Sequence, residues 1–436
     1  MFSIFVSTVW FGLGIVWDFL STWWWLFLPF LMVKPVTSLW RFWRMEVYDA
    51  TNLKPIMWEV RIPSSEITRP FKAMESVFMG FWQVYDPPNP REKWIEGQST
   101  PSVCIEMVSV EGEIRFYLRG AKKDRRTLES AVYSQFPEAE LIEIEDYTNS
   151  LPSTIPNKEW ELYGTDFKFR KNAVYPLRTY VQFFEPTPES KEEQRVDPMG
   201  TLLEGLSKMG SGEHMWIQLV LEPITVNEHD FVSEAEGIVN KLVKRPEDAK
   251  APSTASDMEA VFSQLATGKE PVRVEEKPRE FSYPEMQLTA GERNIVRGVE
   301  EKVSKHMFKA TLRFLYIAKR EKFFSPSKAL PMSYYNQFST ENMNGLMPDA
   351  RTGTKVKTFK AWFIDRRRMF HKKRHILRQY KMRVPYDFPK GGHPLLLNTE
   401  ELASLFHFPG KQIAPGAAIE RIQSKKGEAP PEIPTE

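Results

Sequence analysis

Apolar side chains dominate the first 33 residues, with Asp18 the one ionisable group, and later fall into short stretches whose period alternates between two and three to four. About 20 apolar residues suffice to span a bilayer as a helix, so residues 1–34 predict a transmembrane anchor. Asp18 splits the run into apolar pieces of 17 and 15 residues, and a long tilted helix and a re-entrant hairpin both fit. The segment has neither the basic start nor the small-residue cleavage site of a secretory signal, and it runs straight into Lys34-Pro35. Trp10, Trp17, Trp23, Trp24 and Trp25 leave it no polar face. Residues 35–54 read as interfacial, with Trp40 and Trp43 as belt residues. Lys34, Arg41 and Arg44 place the remaining chain on the cytoplasmic side.

Strand-like alternation in VCIEMVSV (103–110) and EIRFYLRG (113–120) meets at Glu111-Gly112, a hairpin signal. IMWEVRIP (56–63) precedes them as a strand. Pro70 opens a helix bearing Phe71, Met74, Phe78, Phe81 and Trp82. After Asp124, Leu128, Ala131 and Val132 have helical spacing, and ELIEIED follows as a strand whose acidic run, Glu138 to Asp146, reads as an exposed edge. Residues 55–150 thus give the β-α-β-β-α-β order of a ferredoxin-like unit.

A second pass covers 160–350. It comprises a strand at 174–184, a helix capped at Asp197-Pro198, a strand at 214–224, a helix behind the Thr289/Glu292 capping box, a strand at 308–319 and a helix at 334–346. Polar, proline-containing sequence at 227–284 predicts a mobile insertion. Residues 351–415 form a basic helical segment with the NTEELA motif, and 416–436 a disordered tail. The expected fold class is α+β: an N-terminal transmembrane segment, two ferredoxin-like α/β sandwich units, and a basic C-terminal helix with a disordered tail.

Composition narrows the chemistry. Among 436 residues, 59 Lys and Arg oppose 57 Asp and Glu, so any preference for a polyanion must be local. The single cysteine, Cys104, excludes an internal disulfide and sits on a predicted strand without a neighbouring histidine. No GxxxxGK[ST] loop exists; ATGKEP near Gly268 and MGSGEH near Gly210 lack its spacing. His371 and His375 have a metal-compatible i, i+4 spacing, but their neighbours are cationic. Neither a metal nor a cofactor is expected.

The strongest electrostatic feature is RRRMFHKKRHILRQYKMR, where nine of 18 residues are basic: Arg366, Arg367, Arg368, Lys372, Lys373, Arg374, Arg378, Lys381 and Arg383. Interleaved Phe370, Ile376, Leu377 and Tyr380 admit DNA phosphates, an anionic leaflet, an acidic protein surface, or a solvated amphipathic helix packed on the domain.

Six ordered blocks carry a resemblance: IMWEVRIPSSEITRPFKAMESVF, SVCIEMVSVEGEIRFYLRG, YSQFPEAELIEIEDY, DPMGTLLEGLSKMGSGEHMWIQLVLEP, LTAGERN and LLLNTEELASLFHFPG. Together they resemble the N-terminal region of bacterial membrane-anchored type IV secretion or conjugative DNA-transfer ATPases. In that family the region precedes a RecA-like motor, and this chain ends at PPEIPTE where the motor would open. The resemblance therefore implies a non-catalytic bacterial inner-membrane component that positions a separately encoded motor ATPase. A nucleic-acid-binding accessory module acting through the basic helix is the alternative. The implied partners are a membrane and a motor subunit, with a homo-oligomer and DNA also admitted.

Overall fold

A computed structural model describes residues 2–62, 69–183, 197–243, 288–355, 362–383 and 394–410. The first half contains α1 (Phe2–Tyr48), β1 (Ile56–Arg61), α2 (Pro70–Trp82), β2 (Val103–Val110), β3 (Glu113–Gly120), α3 (Arg125–Tyr133) and β4 (Glu140–Ile144). The second contains β5 (Trp160–Phe169), the short α4 (Tyr180–Phe183), α5 (Met199–Ser207), β6 (Glu213–Ile224), α6 (Phe231–Val243), α7 (Ala290–Val303), β7 (Met307–Lys319), α8 (Ala329–Asn336) and β8 (Leu346–Pro348). The basic helix α9 (Trp362–Met382), β9 (Leu395–Asn398) and α10 (Thr399–Leu405) follow.

The expected pair of separate sandwich units is corrected to one antiparallel nine-stranded sheet, ordered β4-β1-β3-β2-β6-β7-β5-β8, with β9 added beside β7. Each four-stranded half has the split βαβ order, and the two fuse where β2 pairs with β6 from Val103↔Leu221 to Val110↔His214. Alternation sorts the side chains to the two faces. One face buries Trp58, Ile105, Phe116, Ile217, Leu219 and Phe314 under α2, α3, α5, α8 and α10. The other buries Met57, Val108, Trp216, Leu315 and Ile317 against Ile376, Leu377 and Tyr380 of α9.

The transmembrane expectation is also corrected: among the described residues no helix is long and apolar enough to cross a membrane. Helix α1 runs through the expected boundary at residue 34 to Tyr48, but Asp18, Lys34, Pro29 and Pro35 interrupt its apolar run, and much of its bulk is tryptophan, a residue of interfaces more than of hydrocarbon. Its last turns pack on the protein. Trp40 donates to the Trp94 carbonyl at 2.9 Å, and Arg41 stacks 5.1 Å from the Trp94 ring. Gly97, at φ +83°, lets this turn approach, because a Cβ there would lie 2.4 Å from the Arg44 carbonyl carbon.

Three elements differ from the sequence pattern. The strand expected at 174–184 is irregular up to Thr179, and β5 at 160–169 takes the sheet position instead. Two amides of the 174–184 stretch go to side chains of α10, Leu177 N–H to Glu401 at 2.8 Å and Tyr180 N–H to Ser404 at 2.9 Å, Arg178 N–H goes to the Phe338 carbonyl at 3.0 Å, and Pro176 has none to give. The helix expected at 334–346 is α8, ending at Asn336, because Asn344 and Gly345 tie the following turns to Pro176 and Arg170. Within the insertion expected at 227–284, α6 is helical and packs Ala235, Val239 and Val243 with Val174 and Val299. Residues 244–287 and the expected tail at 416–436 lie outside the described residues.

The NTEELA stretch fastens the two halves together. β9 continues the lane that β5 leaves beside β7, pairing Met307↔Asn398 to Ala310↔Leu395. Asn398 and Glu401 form a capping box at the start of α10. The Glu401 carboxylate also meets Lys302 of α7 at 3.1 Å, with both side chains fully buried. Burial pushes the Glu401 carboxyl up and the Lys302 ammonium down, a measure of what enclosing the pair costs. Phe406 and Phe408 then pack on Phe116 of the first half, and His407 meets Asp197 at 3.0 Å.

Removing one member of a buried pair strands the other charge, which typically costs about 3–5 kcal/mol. Glu401→Ala, which strands Lys302 and also loses the cap, is expected to lose stability on that scale or above in urea unfolding, and Glu401→Gln, which strands Lys302 but keeps the capping geometry, less. Equal midpoints for wild type and Glu401→Ala would contradict this account of the strap.

Candidate interaction face on the basic helix

Helix α9 crosses the second face of the sheet, and its two sides have different jobs. Its inward stripe recurs every three to four residues: Lys373, Ile376 and Leu377, Tyr380, then Arg383. Gly164 of β5 makes room for it, since a Cβ there would sit 3.2 Å from Ile376 Cδ1 and 2.4 Å from Leu315 Cδ2. Lys373 pairs with Glu161 of β5 at 2.7 Å, and Lys372 donates to the Ala350 and Gly353 carbonyls at 3.0 and 3.3 Å. Further along, Gln218 of β6 donates to the Tyr380 carbonyl at 3.0 Å, and the Trp216 ring lies 5.4 Å from that of Tyr380.

The C-terminal end of α9 drops a cation into the interior. Arg383 is 2 % exposed, at φ +51°, and its guanidinium donates to Glu106 at 3.0 Å and to both Asp146 oxygens. Glu106 also accepts from Tyr147 at 2.6 Å, Gln218 at 2.8 Å and the Cys104 thiol at 3.2 Å. Burial alone would raise the Glu106 carboxyl; the Arg383 charge and these hydrogen bonds reverse that and hold it below the ordinary carboxylate value. Arg383 is driven further up by the same two carboxylates, against its own burial. Burial pushes the Cys104 thiol up, the opposite of what a nucleophile needs.

The outward stripe is Phe363, Arg367, Phe370, Arg374 and Arg378, with Arg366 and Arg368 beside it, all exposed. Phe363 is 70 % exposed, and Arg374 stacks 4.4 Å from the Phe370 ring. Among the described residues none of these five arginines has a carboxylate within ion-pair distance. The nine basic residues of the run therefore do not form one surface. Arg366, Arg367, Arg368, Arg374 and Arg378 face solvent, Lys372, Lys373 and Lys381 are half-buried, and Arg383 is withdrawn from any partner.

The residues expected to anchor the chain in a membrane are also divided. Trp17, Trp23, Trp24, Trp25 and Lys34 are exposed on α1, as are Trp40 and Trp43, while Arg41 and Arg44 are half-buried against the 91–98 turn. The side chain of Trp10 lies outside the described residues. The MGSGEH turn is committed internally: Gly212 N–H donates to Glu111 at 2.7 Å and Gly210 N–H to Glu213 at 2.9 Å. The ATGKEP fragment lies outside the described residues. Among the described residues no three or more His, Cys, Asp or Glu side chains gather as a metal would require.

The buried polar row under α9 was not among the sites expected from the sequence. Glu106, Gln218, Arg313 and Asp166 occupy one row across β2, β6, β7 and β5. Arg313 meets Asp166 at 2.7 Å and Gln218 at 3.3 Å, so the row is hydrogen-bonded from one half of the sheet to the other. The available signal is local: Glu106, Gln218 and Arg313 are polar residues inside otherwise apolar stretches of strand, as in VCIEMVSV and TLRFLYIA, whereas Asp166 lies in a mixed strand and carries no such mark.

The family model described as Domain of unknown function (DUF8128) matches residues 88–417. A search of curated proteins returned no match. The matching family's description names no activity, so it lends no support to the expected terms of secretion and conjugation, and the transmembrane term falls with the helix lengths.

The Glu106–Arg383–Asp146 cluster makes a pH prediction. Both carboxyls lie below their unfolded values, so their contribution is fully present above about pH 5 and is lost as pH falls through their folded values. In Arg383→Met, Glu106 is left buried without its cation, its shift turns upward, and mild acidification should then stabilise the chain. Urea midpoints measured at several pH values would show opposite slopes for the two proteins; parallel acid limbs would exclude the assignment.

Proposed function

Taking as premise that the chain belongs to the DUF8128 family, we propose that it is a non-catalytic docking component that presents the outward face of α9 to a polyanionic partner, the acidic surface of a motor subunit. The observation that carries this reading is the split of α9. Its inward cations are satisfied by Glu161, Glu106, Asp146 and two carbonyls, whereas five outward arginines have no carboxylate among the described residues. A guanidinium held on a rigid helix retains its full capacity for bidentate contact with carboxylate or phosphate. The six blocks that resemble the DNA-transfer ATPases support a motor as the partner.

A second reading, nucleic acid along the same face, draws on the exposed Phe363 and Phe370 rings among the arginines. Cations that track a backbone together with rings that stack bases are what a single strand recruits.

The two readings separate by salt. Lys372 and Lys373 are engaged inward, so the informative variant removes Arg366, Arg367 and Arg374 together. If DNA is the ligand, affinity falls steeply with salt, and this triple alanine variant flattens the slope of log affinity against log salt by roughly two to three. If the partner is the motor, the variant loses the motor in co-sedimentation while its weak DNA binding is unchanged. Retention of both activities by the triple variant would remove α9 from the function.

A further inference from the structure

Two exposed patches of opposite charge lie toward the two ends of the sheet. Helix α9 starts at the β5–β8 end, where Lys373 meets Glu161 of β5 and Lys372 meets the turn after β8, and runs toward Glu106 of β2. Its first turns, with Arg366, Arg367 and Arg368 exposed beside Phe363, therefore lie at the β8 end. At the other end β4 is an edge strand, paired with β1 alone. Glu138, Glu140 and Glu145 are exposed along it, next to an exposed Ile142. Glu143 is already engaged by Arg125 at 3.0 Å, but no cation pairs with the other three among the described residues.

The two patches cannot satisfy each other within one chain. Seven strand spacings of about 4.8 Å separate β4 from β8, roughly 34 Å. Each patch joins charges to an exposed apolar side chain, so the two match in chemistry as well as sign. We infer that the arginine end of α9 docks on the acidic β4 edge of a second copy of this chain. The contact is heterologous, different surfaces meeting head to tail, and such a contact repeats into a ring or a filament. Covering β4 also answers a physical liability, because an open edge strand exposes unpaired backbone groups. The inference rests on the reading of α9 as a docking face and gives its first turns a second copy as occupant when no other partner is bound.

Charge reversal with rescue tests it, using the full chain in mild detergent and mass by sedimentation velocity. The wild type is expected to assemble at about 0.1 mM and to dissociate with added salt. Reversing Glu138, Glu140 and Glu145 to Lys, or Arg366, Arg367 and Arg368 to Glu, should each weaken assembly at least about tenfold. The chain carrying both reversals should assemble again, as should an equimolar mixture of the two single-patch variants. Gln substitutions at the three glutamates, which remove charge without adding it, serve as the milder second variant and should weaken assembly less. A wild type monomeric at that concentration, assembly indifferent to either reversal, or no rescue in the doubly reversed chain would each overturn the inference. If the arginine variant loses motor or DNA binding while the mass is unchanged, the docking reading stands and the self-association falls.

Discussion

The pairing of β2 with β6 is the constraint from which the rest of the architecture follows. It places Glu106 directly opposite Gln218, and β7 places Arg313 opposite Gln218 in turn. A one-residue slip in either ladder would send these polar side chains to the opposite face, away from every partner they have. The apolar residues of the same strands prefer the observed register but tolerate others more readily, because hydrophobic contact is not directional. The buried polar row is therefore the element that makes the union of the two halves specific, whereas the cores on both faces provide the driving force.

Helix α9 is placed by the same row. Full burial of Ile376, Leu377 and Tyr380 supplies the favourable energy of docking, about 1.5–3 kcal/mol for each aliphatic side chain. The Arg383 cluster adds little net stability when set against a well-packed apolar alternative, but it penalises misplacement heavily. What it provides is position: a guanidinium between Glu106 and Asp146 fixes both the axial register and the rotation of the helix. The rotation decides which cations point outward. The composition of the exposed face is thus set by a cluster that no partner can reach.

Much of the first half was legible because its strands are half-buried and alternate cleanly, and because Pro70 and the 111–112 turn punctuate them. The second half was read less well where local pattern and tertiary context disagree. The apolar content of 174–184 suggests a strand, but two of its amides, Leu177 and Tyr180, are claimed by Glu401 and Ser404, more than 200 residues away, and no local pattern carries that information. The basic run was legible as a charge density and not as a surface. Helical periodicity does separate Lys373 and Arg383 from Arg367, Arg374 and Arg378, since the first two share a stripe with Ile376 and Tyr380. Counting cations without that periodicity merges a structural set with an available one.

Stability does not account for the outward arginines. Arg374 and Arg378 are an i, i+4 pair of like charge, which disfavours a helix by a few tenths of a kcal/mol. Arg366, Arg367 and Arg368 lie nearer the positive end of the helix dipole than its negative end, where cations gain nothing. The usual compensation, acidic residues one turn away, is confined to Asp365, the single acidic residue of the helix. A helix selected for solubility or rigidity would alternate charges, as α7 does where Arg297 pairs with Glu301 at 2.7 Å. The outward face of α9 instead keeps its charge uncompensated among the described residues, on a scaffold that fixes its orientation, and an acidic partner is the element that would compensate it.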